Sequence, residues 1–221
     1  MRRELNRGFT LIEVLVTLVI LTFGLLGIAG LMAKGQRIAF EAFQRQQAVA
    51  LASDMAERIR GNRSLAWICP ATYPGCTTYI VGAPTTTPLG TGLFYADYLT
   101  GVIRDCAALS CDVQQLALYD IALWDGLLNG YSEQQQGSGT RVGGIVHALG
   151  CIQQIANTNG TCPVAPLGQG LLYSTTLRIS VAWQGNDDTV IPTNICGQGQ
   201  YGAETKRRVV TYDLLLPQVC P

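Results

Sequence analysis

The hydrophobic pattern of the chain falls into three regimes. Val14 to Ala33 is a run of twenty residues without a charge. A helix rises about 1.5 Å per residue, so this run covers roughly 30 Å, the hydrocarbon thickness of a bilayer. After Lys34 the run gives way to a narrow apolar stripe. Ala48, Ala52, Met55, Ala56 and Ile59 recur at helical spacing, with Glu57, Arg58, Arg60 and Arg63 on the polar side. Residues 34–62 lack proline and favour Ala, Gln, Glu and Arg, so the helix is expected to continue past the apolar run and stop at Gly61-Asn62. Later in the chain the period changes to two. Tyr173, Thr175, Leu177, Ile179, Val181 and Trp183 share one face of a predicted strand, and Val210, Tyr212, Leu214 and Leu216 line another.

Between these regimes the signals are mixed. Cys69 to Gly92 is turn-rich, with Pro70, Pro74-Gly75, Pro84 and Pro88, and has room for one short strand at Thr77–Val81. Leu93 to Asp105 has room for a short helix. Asp112 to Asn129 reads as a helix: Leu116, Asp120, Leu123 and Leu127 fall at i, i+4, i+7 and i+11, beside Tyr119 and Trp124. Asp112 followed by Gln115 is a capping pattern, and Asn129-Gly130 is a C-terminal signal. Asp120 on the inner side requires either a buried partner such as an arginine or exposure to solvent. Gln134 to Gly139 reads as a flexible loop, Arg141 to Leu149 as a strand, and Gly185-Asn186-Asp187-Asp188 as a turn. Three antiparallel strands with one apolar face against the long helix make an α+β roll on a helical spine. The expected division is residues 1–8 as a basic leader, 9–33 as a membrane helix, 34–63 as its amphipathic continuation, and 64–221 as a globular head.

The leader sharpens the picture. Arg2, Arg3 and Arg7 stand against Glu4, and the positive-inside rule puts this end in the cytoplasm, with the residues after Lys34 across the membrane. A cleavable secretory signal fits poorly: the apolar run is too long and no small-x-small site follows it. A plain signal anchor gives no reason for Glu13, a carboxylate at the edge of the apolar run. Such a group costs about 3 kcal/mol at the centre of a membrane helix and less near its edge. It can snorkel to the headgroups, or it can meet a cation.

Composition narrows the function. The chain has 221 residues and balances 15 basic against 15 acidic ones; without residues 1–8 the count is 12 against 14, so no basic bias favours nucleic acid. All eight cysteines, Cys69, Cys76, Cys106, Cys111, Cys151, Cys162, Cys196 and Cys220, follow the apolar run, as expected of disulfides in an oxidising compartment. Eight cysteines allow 105 pairings. Nearest-neighbour pairing, 69–76, 106–111, 151–162 and 196–220, is the working expectation. No Cys-x2-Cys pair is present and the lone His147 has no nearby ligand, so neither a metal nor another cofactor is expected. Asp187-Asp188 is a turn rather than a calcium site, and Lys206-Arg207-Arg208 is a solvated start to a strand. No phosphate loop, HExxH or nucleophile elbow is present, so no catalytic residue is assigned and the chain is not expected to be an enzyme.

Gly8-Phe9-Thr10-Leu11-Ile12-Glu13-Val14-Leu15 resembles the processing motif of type IV prepilins and type II secretion pseudopilins. The resemblance implies that a membrane aspartyl peptidase cuts between Gly8 and Phe9 on the cytoplasmic side and methylates the new amine of Phe9. It also implies that Glu13, four residues on, meets such an amine in its own chain or a neighbour's and takes part in subunit assembly. Asp54 to Arg63, and Leu21 to Gly27 in the apolar run, resemble the minor pilins called type IV pilus modification proteins, the PilV type. Residues 54–63 read equally as a charged, solvated helix end. In the family, melting around glycines such as Gly24, Gly27 and Gly30 accompanies packing into the filament. The implied partners are the prepilin peptidase/methyltransferase, major and minor pilins, the inner-membrane assembly platform and membrane lipid. The implied path is a single-pass inner-membrane protein with a cytoplasmic N-terminus, then a pilus subunit contributing to motility, adhesion or DNA uptake. Two rival readings remain: a secretion pseudopilin, and a tip adhesin using loops 69–92 and 150–170.

Overall fold

The computed structural model of the chain describes residues 9–62, 79–81, 88–131, 144–157 and 172–219. The elements in order are helix α1 (Leu11–Gly61), α2 (Leu93–Leu99), α3 (Val113–Leu128), strand β1 (Leu149–Asn157), β2 (Leu172–Gln184), a 3-10 turn at Glu204–Lys206, and β3 (Arg207–Val219). The chain divides into two compact units, Met1–Ala42 and Phe43–Pro221, with the division inside α1.

The first unit contains helix alone among its described residues, and its large apolar side chains from Phe9 to Phe40 are exposed. α1 is long and apolar enough, by length and composition, to cross a membrane. Its two hydroxyls in this stretch are satisfied within the helix: Thr17 Oγ1 donates to the Val14 carbonyl at 2.9 Å, and Thr22 Oγ1 to that of Val19 at 2.8 Å. Polar groups in hydrocarbon require such internal partners.

In the second unit, β1, β2 and β3 form an antiparallel sheet in that order. Isolated bridges Val81↔Ile152 and Leu89↔Gly150 run along the outer edge of β1. One sheet face carries Ile152, Leu177, Ile179, Val181, Trp183, Leu214 and Leu216, which form a core with the α1 stripe Ala48, Ala52, Met55, Ala56, Ile59 and with Ala117, Ile121, Trp124 and Leu128 of α3. Trp124 is central: it is sealed from solvent and its Nε1–H donates to the Leu51 carbonyl at 2.9 Å. Its ring lies so close to β1 that a Cβ at Gly150 would stand 2.5 Å from it, so position 150 must be glycine for α3 to seat.

The α+β roll, the α1 stripe, the helix stop, and the inward faces of β2 and β3 at Leu177–Trp183 and at Leu214 and Leu216 match the sequence reading. So does α3, whose capping box has Asp112 Oδ1 accepting from Gln114 and Gln115 N–H at 2.9 and 2.8 Å, and Gln115 Oε1 accepting from Asp112 N–H at 3.1 Å. The strand expected at 141–149 is displaced. Gly144 and His147 adopt φ of 91° and 55°, the left-handed region that turns a chain, and pairing with β2 starts only at Leu149↔Ala182. The two glutamines Gln153-Gln154 hid β1 from a hydropathy reading. The inward stripe of α3 is also rotated from the one expected: Leu116, Leu123 and Leu127 are half-buried, and Ala117, Ile121, Trp124 and Leu128 face the core. Of the strand expected at 77–81, Val81 forms a bridge, while Thr77 lies outside the described residues, as does the Gln134–Gly139 loop.

The second face of the sheet is covered by loop 185–203, which is much longer than the tight turn expected there. Leu149, Cys151, Ala182, Cys196 and Tyr201 pack together on this face. Cys151 and Cys196 form a disulfide across 45 residues, so the expected pairs 151–162 and 196–220 are wrong. Alternation along β1 turns Cys151 away from the main core, and the loop, not the sequence neighbour, supplies its partner. Cys106–Cys111 pairs as expected. Cys69, Cys76, Cys162 and Cys220 lie outside the described residues.

Candidate functional site

The start of α1 carries the candidate site. Thr10 is the residue before the first helical one, and Thr10-Leu11-Ile12-Glu13 has the spacing of a capping box. Glu13 N–H donates to the Thr10 carbonyl at 3.1 Å and lies 3.4 Å from Thr10 Oγ1, and Val14 N–H reaches the Thr10 carbonyl at 3.3 Å. Glu13 is therefore the third helical residue. Its carboxylate is exposed in the first turn, where the unpaired N–H groups concentrate positive potential. Phe9 is 84% exposed one residue outside the cap. Gly8 lies outside the described residues.

The chemistry of this arrangement is electrostatic. An amine at Phe9 would stand beside the positive end of the helix, and two like charges in a low dielectric repel strongly. A carboxylate one turn in neutralises both. The capping role of Thr10-x-x-Glu13 is legible in the sequence from its spacing, but a reading centred on the membrane cost of Glu13 passes over it.

A second polar cluster lies at the other end of α1. Asp120 on α3 is 6% exposed and accepts from Tyr79 Oη at 2.7 Å and from Arg58 at 3.4 Å; Arg58 Nε also donates to Asp54 at 2.8 Å. Burial raises the Asp120 carboxyl above its usual range, offset in part by Tyr79 and Arg58. Asn62, just past the helix, donates to Tyr79 Oη at 3.1 Å and to the Val113 carbonyl at 2.7 Å. Of the two options for Asp120, the buried one with an arginine partner holds, and Arg58 turns from the expected solvated face into that contact. Asp125, fully buried on α3, accepts from the backbone N–H groups of Gly90 (2.6 Å), Gly92 (3.2 Å) and Tyr95 (3.2 Å), fixing the segment that leads into α2. An aspartate in a helical interior pattern gave no warning of that role.

Other sequence candidates resolve as follows. His147 is exposed in a turn rather than on a strand, its ring edge-on to Tyr201 at 5.9 Å. Arg207, expected to be solvated, is 1% exposed and hydrogen-bonded to loop 185–203. Asp188 accepts from Thr205 Oγ1 at 2.7 Å, and among the described residues no three metal-ligating side chains gather.

No curated protein and no solved structure is significantly similar to the chain. Residues 5–29 match the family model of the prokaryotic N-terminal methylation motif. That segment holds Phe9, Glu13 and the start of α1. The motif is of the prepilin type, which type IV pilin-like proteins and pseudopilins carry.

Proposed function

We propose that the chain is a minor subunit of a type IV pilus, cut between Gly8 and Phe9, methylated at Phe9, and drawn from the inner membrane into the filament. Residues 1–8 are the leader, 9–33 the membrane and filament-core helix, 34–63 its continuation and 64–221 the head on the far side of the membrane. The observation that carries the reading is the placement of Glu13 in the first turn of a helix whose apolar surface is exposed, within the matched motif. A cut before Phe9 puts a cation two residues from the helix start, and Glu13 of the same or the next subunit neutralises it. Pairing with the next subunit's amine recovers the cost of a carboxylate in hydrocarbon and sets the register of an incoming helix. Major and minor pilins and the assembly platform are the partners that this chemistry serves.

Replacing Glu13 with Ala tests the pairing. The variant is expected to be cleaved normally and to be at least tenfold depleted from sheared filaments relative to the membrane pool. Glu13→Ala subunits at wild-type levels in filaments would remove the pairing role. Recovery of the wild-type chain with a secretion pseudopilus instead of a pilus would move the protein to the pseudopilin class.

A further inference from the structure

Loop 185–203 carries Cys196 to a partner far away in sequence, and the polar contacts around it are unusually directed. Cys151 on β1 stands opposite Ser180 on β2 in the strand register. Ser180 Oγ, fully buried, accepts from Asn194 Nδ2 at 2.9 Å, and Asn194 Oδ1 accepts from the Cys196 N–H at 2.8 Å. Asn194 thus ties the backbone of Cys196 to the residue facing Cys151. From the other side Arg207, the first residue of β3, donates to the carbonyls of Asn194, Cys196 (3.0 Å) and Pro192 (3.2 Å), and its Nε pairs with Glu204 at 2.6 Å. Its guanidinium is a planar fork closed over three carbonyls of one loop, a geometry lysine cannot reproduce. None of these bonds involves sulfur.

We propose that Ser180, Asn194 and Arg207 form a noncovalent template that selects the Cys151–Cys196 pairing during oxidative folding. Selection is needed because chain entropy opposes it. Closing the loop to Cys162 is favoured over closing it to Cys196 by about eightfold, the 3/2 power of the ratio of loop lengths. Bonds to a buried guanidinium outweigh that bias readily. The chemistry is thiol–disulfide exchange. One cysteine thiolate attacks an external disulfide such as oxidised glutathione, forming a mixed disulfide and releasing one glutathione thiolate. The second cysteine thiolate then attacks the mixed disulfide at the protein sulfur and expels the other. Two protein thiols lose two electrons and two protons, and one oxidant disulfide becomes two thiols. Both sulfurs are fully buried in the finished fold, so the oxidant must act before the loop seats, and the second attack accompanies seating.

The test uses the full chain in detergent micelles, reduced and denatured, then reoxidised in a glutathione buffer and mapped by mass spectrometry of unreduced peptides. Wild type is expected to give Cys151–Cys196 as the dominant pair of both cysteines. Arg207→Met should lower that pair at least fivefold, in favour of Cys162 and Cys220 partners, with Arg207→Lys intermediate and Cys106–Cys111 retained as the internal control. An unchanged Cys151–Cys196 yield in Arg207→Met overturns the proposal, as does equal scrambling of Cys106–Cys111, which would mean general misfolding. A second measurement does not depend on the oxidation. In the double variant Cys151→Ser/Cys196→Ser, amide hydrogens at positions 194–196 should keep their protection from exchange. Loss of that protection would mean that the bridge holds the loop, and would also overturn the template.

Discussion

The two ends of α1 belong to units with opposite surfaces. In the first unit, Leu15, Phe23, Leu26 and Met32 are half or more exposed on a helix that buries none of them within the chain. In the second, Met55 and Ile59 of the same helix are sealed against α3 and the sheet. One helix therefore carries two kinds of apolar surface: a broad run left exposed in the first unit, and a narrow stripe buried within the second. The consequence is a division of information. The chemistry proposed for the first unit is local, resting on Thr10, Glu13 and an uninterrupted apolar run. Chemistry in the second arises from residues brought together across long separations, such as Arg58 with Asp120 or Cys151 with Cys196.

The largest effect expected from that division is on processing. Gly8→Trp should leave the full-length precursor in the membrane, read by the mass of the intact protein, because a bulky side chain keeps the backbone from a peptidase cleft. Normal processing of that variant would break the local reading of the first unit. Next, Trp124→Ala should destabilise the head by about 3–5 kcal/mol in thermal unfolding of the full chain in detergent, since it opens a cavity at the core centre and removes the Leu51 contact. Phe23→Ala, in the exposed run, should leave that transition unchanged; a shift there of comparable size would erase the contrast between the units.

The disulfides give a graded effect. In the chain-entropy model, loss of Cys151–Cys196 by Cys151→Ser/Cys196→Ser should cost about 4 kcal/mol, and loss of the short Cys106–Cys111 loop about 2 kcal/mol. Denaturant midpoints of the two double variants should rank in that order. The smallest effect concerns pH. The folded-state affinity of Asp120 for its proton is raised by burial, so its contribution to stability is full below the usual value of 3.8 and is lost as pH rises through the higher folded value. Relative to Asp120→Asn, the wild-type melting temperature should therefore fall between about pH 3 and pH 7. Asp54, Arg58, Tyr79 and Tyr119 surround the group, and the same slope in both proteins would assign the pH dependence elsewhere.

Periodicity made the long helix, α3 and the inward faces of β2 and β3 legible, because each alternates or repeats over many residues. The motif around Glu13 was legible because its residues are adjacent in the chain. β1 was misplaced because its half-buried glutamines break the apolar signal and positive-φ residues before it end no hydrophobic pattern. The roles of Asp125 and Arg207 were closed to a linear reading. Asp125 serves backbone groups about thirty residues earlier, and Arg207 a loop whose path is set by the sheet register. The Cys151 partner was missed for the same reason: proximity in sequence is a guide only where the intervening chain has no strand to cross.

The most direct test of the proposed function is the mass and N-terminal residue of this protein in pili sheared from cells. A chain beginning at N-methylated Phe9 is expected. A chain that begins at Met1, or one retained in the membrane and absent from the filaments, would contradict it.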